Sequence, residues 1–486
     1  MPSFAHYQPA HRQRLQELLG MPQWRRLAEC GTLDRLAADV TTPPAQPDLQ
    51  KAASAYLIHV NGPAVRALID EGVTDEDQLT EALGDWPAAL AGGERFPIVF
   101  LGLAVTMDCS FSPRCVYCNQ HWVAGELALA DWKRIVAEAA EPAPPYVYIT
   151  GGEPLILGSD IWGDDGLAAF ATQLGCAVNI NTNAELITPE VALQLTKIGL
   201  ARLHISLDTP DPQLQDHLLG GAGRTDDVLA GVYNVQIARE LLGVNHPQIH
   251  VNCVLTSENI LQFPDLLRFL LEIRQVRPLG SQGSPEAGEF FMGEFAFHLI
   301  PVGGADNADL RPTAEQWKRF YSETWAQAED IWHEYQLAAD VPTAEQRPLT
   351  GSLGVAASPF LRVDHRMDLD EYCRHAARGE YWGGALSQRC LVAGCQAFIL
   401  PDGSQHWCGG RAITRPAPLG NVREATIRET IRANISRLAE CPNEFCTGCA
   451  GATCVINQVS QRELQDQIRQ WLQQRQPSPN PQPPAE

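Results

Sequence analysis

Between residues 99 and 300, six short apolar runs alternate with amphipathic helical stretches, and this alternation constrains the fold more than any other feature of the chain. The runs are Val99 to Val105, Tyr146 to Ile149, Ala177 to Ile180, Leu203 to Leu207, Ile249 to Val254 and Phe295 to Ile300. Each has the length of a strand, and the chain between them is long enough for crossover helices, so the pattern predicts a parallel sheet of βα units. Six such units curl into a partial (β/α)6 barrel. In barrels and open α/β sheets the chemistry collects at the C-terminal ends of the strands, so residues just past those ends carry the functional weight.

The flanks divide the remaining chain. Residues 1–95 read as mostly helical, with breaks at Thr41 to Pro44 and at Gly92-Gly93. The barrel takes 96–302. A polar helical bridge, broken at Pro312, Pro342 and Pro348, takes 303–385, and a cysteine-rich extension takes 386–458. The end, 459–486, reads as a helix over Ser460 to Gln476 followed by a disordered tail with five prolines. The expected class is α/β, with a helical N-terminal region and a cysteine-rich C-terminal extension.

Lys and Arg number 36 against 58 Asp and Glu, a net charge of −22, which repels phosphate backbones and disfavours a nucleic-acid partner. There is no run of eighteen apolar residues and no signal peptide, so the reading is a cytoplasmic protein without a membrane partner. Fourteen cysteines in that compartment point to metal or redox chemistry, because structural thiols are kept reduced there.

Three of them, Cys109, Cys115 and Cys118, follow the first strand directly. Three thiolates on one loop can ligate three irons of a cubane 4Fe-4S cluster and leave the fourth iron open. A structural zinc site wants a fourth protein ligand, although zinc or a structural iron site remains the plain alternative. At the end of the second strand stands Gly151-Gly152-Glu153-Pro154, where the glycines permit close backbone approach and Glu153 offers a carboxylate that can pair with an ammonium group.

A three-cysteine loop followed one βα unit later by Gly-Gly-Glu-Pro resembles the radical S-adenosylmethionine (SAM) superfamily. The resemblance covers residues 97 to about 302 and implies that Cys109, Cys115 and Cys118 hold a SAM-binding 4Fe-4S cluster. It implies that Gly151, Gly152, Glu153 and Pro154 bind the amino group of SAM, and that Tyr117 packs near its adenine. Asn181, Asn183, Ser206 and Asp208 match positions lining the ribose and carboxylate; as plain residues they could equally cap turns and helices. The spacing here is C-x5-C-x2-C where the superfamily usually has three residues between the first two cysteines. That departure leaves the subfamily open.

Seven more cysteines crowd the extension: Cys390, Cys395, Cys408, Cys441, Cys446, Cys449 and Cys454, with four residues between Gly403 and Cys408. This pattern resembles the SPASM extension of radical SAM enzymes, which implies one or two auxiliary 4Fe-4S clusters, with one cluster plus a zinc knuckle as the other arrangement. Cys30, Cys176 and Cys253 read as small core residues. Cys373, between barrel and extension, is a candidate hydrogen donor to a product radical.

Residues 55–83 read as a short strand, a helix, a turn and a second helix, which resembles part of the winged-helix modules that bind leader peptides; a plain helical cap is the simpler reading. Taken together, the resemblance implies a peptide-modifying enzyme that makes a 5'-deoxyadenosyl radical, acts on a ribosomally made precursor peptide, and takes electrons from a donor such as flavodoxin or ferredoxin. The splicease group is one such family. The alternatives are a formylglycine-generating sulfatase maturase and a non-enzymatic iron-sulfur electron carrier.

Overall fold

A computed structural model describes residues 4, 7–29, 32–45, 47–48, 51–91, 95–120, 123, 125–273, 295–303, 305–338, 343, 346, 349, 368–380, 390–409, 417–440 and 452–475. All six expected strands form: β1 Phe100–Ala104, β2 Tyr146–Thr150, β3 Ala177–Thr182, β4 Arg202–Ser206, β5 Gln248–Leu255 and β6 Phe295–Pro301. They lie parallel in the order β6-β5-β4-β3-β2-β1, the sequential arrangement that βα crossovers produce.

The sheet does not stop at β1. Strand β7 (Gln396–Ile399) pairs with it in parallel, setting Phe100 beside Gln396 and Gly102 beside Phe398. Two further short strands, β8 Ser404–His406 and β9 Gly420–Asn421, then add antiparallel, making one open nine-stranded sheet. The cysteine-rich extension is therefore continuous with the barrel. Strand β1 would otherwise be an edge with unpaired backbone groups, and β7 satisfies them.

Register sorts the side chains onto two faces. Leu101, Leu103, Val147, Ile149, Ile180, Leu203, Ile205 and Ile249 have no exposed surface and form the aliphatic face. The alternate positions are polar or aromatic: Phe100, Tyr148, Asn179, Asn181, His204, Ser206, His250 and Asn252. A strand with two such faces has one side against helices and one side lining a chamber.

The N-terminal region splits into two groups. Helices Pro9–Leu19 and Pro22–Glu29 run against a helix of the barrel, where His11 Nε2 lies 2.9 Å from Gln236 Oε1 and Trp24 Nε1 donates to Asn234 Oδ1 at 3.0 Å. Helices Ala52–Asp70 and Glu76–Leu83 pack instead on the C-terminal helix Ala452–Arg475. Helix Trp86–Ala91 opens with Trp86, whose Nε1 donates to the Leu391 carbonyl at 2.9 Å.

Two expectations are corrected here. The short strand read at the start of residues 55–83 lies inside helix Ala52–Asp70, because Ala53, Leu57, Asn61, Val65 and Ile69 recur every four residues and are all buried on one face. The Asn61 amide donates to the carbonyls of Leu83 and Asp85, both at 3.0 Å, and so fixes the following helix. Residues 51–91 form no strand, so the winged-helix pattern lacks one of its parts. The C-terminal helix also begins at Ala452 instead of Ser460, which carries Cys454 into its first turn. Between residues 303 and 385 the described helices include Ala314–Arg319, Trp325–Ala338 and Leu369–Ala377. Among the described residues no helix is long and apolar enough to cross a membrane.

Candidate active site

The loop after β1 is held from both sides. Val105 N donates to the Thr150 carbonyl at 2.9 Å, Gly152 N to Thr106 O at 2.8 Å and Glu153 N to Asp108 O at 2.7 Å, so the loop is bonded along its start to the end of β2. The glycines are required for this contact. A Cβ on Gly151, whose φ is +150°, would lie 2.2 Å from Thr106 O, and one on Gly152 would lie 2.0 Å from Asp108 O. The close approach anticipated for a ligand is, in the structure, an approach of one backbone to another.

On the other side Val116 N donates to Leu218 O at 2.9 Å. Arg224, itself buried, sits 4.2 Å over the Phe111 ring and donates to the carbonyls of Pro113, at 2.8 Å, and Leu219. Arg114 closes the loop on itself through Met107 O at 2.6 Å, and Asn307 Nδ2 donates to Tyr117 O at 2.8 Å.

Cys109, Cys115 and Cys118 are all half-buried on this loop. Burial raises the Cys109 thiol, with the charges of Glu153 and Cys118 adding to it. Burial, the Asp208 carboxylate and the two neighbouring thiols push Cys115 up to about 12. The Cys109 and Cys115 thiols therefore resist ionising unless a cation holds them. Among the described residues no three His, Cys, Asp or Glu side chains close on a point that one ion could fill. An all-sulfur set spread around a loop fits the separate corners of an iron-sulfur cubane, and these three residues would hold it.

Glu153 is fully buried, and its carboxylate accepts from Leu155 N at 3.0 Å, Thr182 Oγ1 at 2.9 Å and Asn183 N at 2.7 Å. Burial lifts it to about 7 in spite of those donors. It joins β2 to the end of β3. Pro154 is buried at the start of the 3-10 turn Pro154–Leu157. Asn183 is aimed at the loop, its Nδ2 donating to Ser110 Oγ at 3.0 Å and lying 4.0 Å from the Cys109 sulfur.

Asp208 and Tyr117 meet directly. The tyrosine hydroxyl donates to Asp208 Oδ2 at 2.7 Å, while Val254 N donates to Oδ1 at 2.7 Å. Burial moves Asp208 up to about 6. Asn181 accepts from Asn252 Nδ2 at 2.6 Å and donates to Thr150 Oγ1 at 3.4 Å, with half-buried Ser206 in register beside Asn252. Thr150, Thr182, Arg224, Asn252 and Asn307 were not singled out from the sequence. Asn252 had a signal, as the polar alternate of Ile249-His250-Val251-Asn252; the others act through partners distant in the chain.

In the extension, Cys390 and Cys408 are half-buried. Cys395 is buried among apolar residues, its thiol donating to Val392 O at 3.3 Å and pushed up to about 12 by burial. Gly403 takes φ +85°, where a Cβ would meet Asn421 Oδ1 at 2.6 Å. Cys441, Cys446 and Cys449, with Cys30, lie outside the described residues. Cys176 and Cys253 are buried core thiols. Cys373 is buried on the bridge helix Leu369–Ala377, where burial and Asp370 raise it to about 11 and the other charged neighbours are Lys318, Arg374 and Glu315, none of them on the cysteine loop.

Residues 104–270 match the Radical SAM superfamily, a span that runs from the last residue of β1 through the cysteine loop and strands β2 to β5. The chain thus carries a Radical SAM domain over those residues. Over 187 residues it is 33% identical to the probable GTP 3',8-cyclase of Methanopyrus kandleri, covering 37% of this chain and 56% of that protein. The chain thus spans just over half the length of that relative. Over 353 residues it is 27% identical to the AdoMet-dependent heme synthase of Methanosarcina barkeri, covering 71% of this chain and 85% of that one. The PqqA peptide cyclase of Rhodopseudomonas palustris is 27% identical over 175 residues, 35% of this chain and 43% of that protein. Among solved structures, Streptococcus suis SuiB bound to S-adenosylmethionine aligns with a TM-score of 0.46 at 17% identity, over 78% of this chain and 76% of that one.

Proposed function

We propose that this protein is a radical SAM enzyme that cleaves SAM reductively and uses the resulting 5'-deoxyadenosyl radical to take a hydrogen atom from a peptide, in the maturation of a ribosomally made precursor. The observation that carries the reading is the bonding of the Cys109/Cys115/Cys118 loop to the Gly151-Gly152-Glu153 turn. When bound, the cluster and SAM supply the electron and the radical precursor.

The chain's own residues position and enclose. Glu153 fixes the ends of β2 and β3, Asn183 steadies the loop at Ser110, and Asp208 holds Tyr117 beside Cys118. The half-buried row Asn181, Ser206 and the neighbouring Asn252 lines the rim where SAM would lie. One or two auxiliary clusters, built from thiols of the extension, would pass an electron away from the product or bind the substrate, with an electron donor such as flavodoxin or ferredoxin supplying the first electron.

The peptide substrate is supported by the SPASM-like cysteine pattern and by the peptide cyclase among the relatives. A second reading, a tetrapyrrole substrate, is favoured by the heme synthase, whose alignment reaches well beyond the radical SAM domain. The test is anaerobic reconstitution with iron and sulfide, then dithionite and SAM. Formation of 5'-deoxyadenosine is expected, and its absence from a protein that retains only zinc would sink the reading. Adding a precursor peptide or a porphyrin then separates the two substrates by which one is altered in mass.

A further inference from the structure

The face of the sheet that turns away from the aliphatic core is not uniform. Toward β3–β5 it carries amides and imidazoles, with His204 and His250 stacked at 4.9 Å and the edge of His204 against Tyr148 at 5.7 Å. Toward β1 and β7 it carries the rings of Phe100 and Phe398, with the buried polar Gln396 and His406 in register beside them. Phe398 of β7 is in register with Gly102 of β1 and so shares the face of Phe100 and Tyr148. A Cβ on Gly102 would come within 2.2 Å of the Phe398 ring, and one on Gly409 within 3.1 Å, so the ring lies flat in a slot that two glycines leave open. The ring is half-buried.

Phe398 also packs, with Val123, against Ala104, Met107 and Leu400, a small apolar cluster separate from the main core. Met107 opens the cysteine loop, which puts this apolar wall directly beside the site where SAM would bind. Nothing in holding an iron-sulfur cluster asks for such a wall. Half-exposed apolar surface beside a catalytic centre is surface that an apolar group of a ligand can cover.

We propose that Phe398, a residue of the cysteine-rich extension, forms the apolar wall of the reaction chamber and selects a peptide that presents an apolar side chain there, an inference that rests on the peptide reading above. The extension then has a part in substrate choice besides any part in electron transfer.

The test uses the reconstituted full-length enzyme with dithionite, SAM and capped tripeptides acetyl-Gly-Xaa-Gly-amide, with Xaa as Leu, Phe, Ser or Asp. The measured quantity is the increase in 5'-deoxyadenosine rate that each peptide causes. Leu and Phe should raise the rate more than Ser and Asp, and Phe398→Ser should cut that discrimination by about tenfold while Phe398→Leu preserves it. Equal response to all four peptides, response to none, or an unchanged order in Phe398→Ser overturns the proposal. The parental preference alone decides if Phe398→Ser does not fold. Failure to cleave SAM even without peptide is a different result, which removes the catalytic reading itself.

Discussion

The Tyr117 hydroxyl donates to Asp208 across 2.7 Å, so the residue just before Cys118 is tied to the end of β4, ninety-one positions along the chain. Tyr117→Phe keeps the ring and removes the tether, leaving a buried carboxylate with one donor fewer. Loss of about 1–3 kcal/mol of stability is expected, together with lower iron retention after gel filtration. Asp208→Asn can still accept from the hydroxyl and should be the milder change.

Replacing Cys118 by Ala should remove the SAM-binding cluster alone. Iron content should fall by about four atoms per chain, and 5'-deoxyadenosine should disappear, while the visible absorption of any auxiliary cluster persists. An electron carrier built on the extension would keep its redox activity intact, so measuring both separates the two functions.

Gly152→Ala places a methyl group 2.0 Å from the Asp108 carbonyl, a backbone atom that cannot swing aside. The expected cost is about 3 kcal/mol, read from the denaturation midpoint, with weak cluster loading. A normal midpoint and full iron content would show that the turn can part from the loop without consequence.

Glu153 is lifted to about 7 in the folded chain from an ordinary value of 4.5, chiefly by burial. The folded state therefore binds a proton that the unfolded state has already released between those values. Stability should fall as pH rises from about 4.5 to 7, by about 3 kcal/mol from this group, and level off above. Glu153→Gln should flatten that slope in urea unfolding of the metal-free protein; an unchanged slope would assign it to other groups.

Among the described extension cysteines Cys395 is the most deeply enclosed, its thiol already bonded to Val392 O. Cys395→Ala should leave the iron and sulfide content unchanged, whereas Cys390→Ala and Cys408→Ala, at half-buried positions, should lower it. Equal losses in all three would make Cys395 a ligand and require the turn Val392–Cys395 to rearrange.

Much of the barrel was legible because its strands are short runs bounded by helical periodicity, and all six formed where expected. Spacing carries the candidate site, at Cys109, Cys115, Cys118 and Gly151 to Pro154, two segments that the fold bonds to one another. What spacing cannot show is direction. Glu153 reads as a ligand for an ammonium group, yet in the fold its oxygens turn toward Thr182 and Asn183, a contact made only when β2 and β3 lie side by side. The start of helix Ala52–Asp70 was misread as a short strand, and the helix, which runs on through Pro63, owes its length to packing on a helix some four hundred residues later. Strand β7 escaped for a similar reason, since Gln396 to Ile399 is too short to announce a strand and gains its identity from β1.

The pairing of β1 with β7 also dictates an order of events during synthesis. Strand β1 leaves the ribosome roughly three hundred residues ahead of its outer neighbour, and for that interval the barrel has an uncovered edge next to three reactive thiols. The nascent chain thus passes through a stage vulnerable to intermolecular strand addition and to premature oxidation. A chain cut before residue 396 would be trapped at that stage, so soluble expression should depend on the extension even when the domain that matches the superfamily is complete.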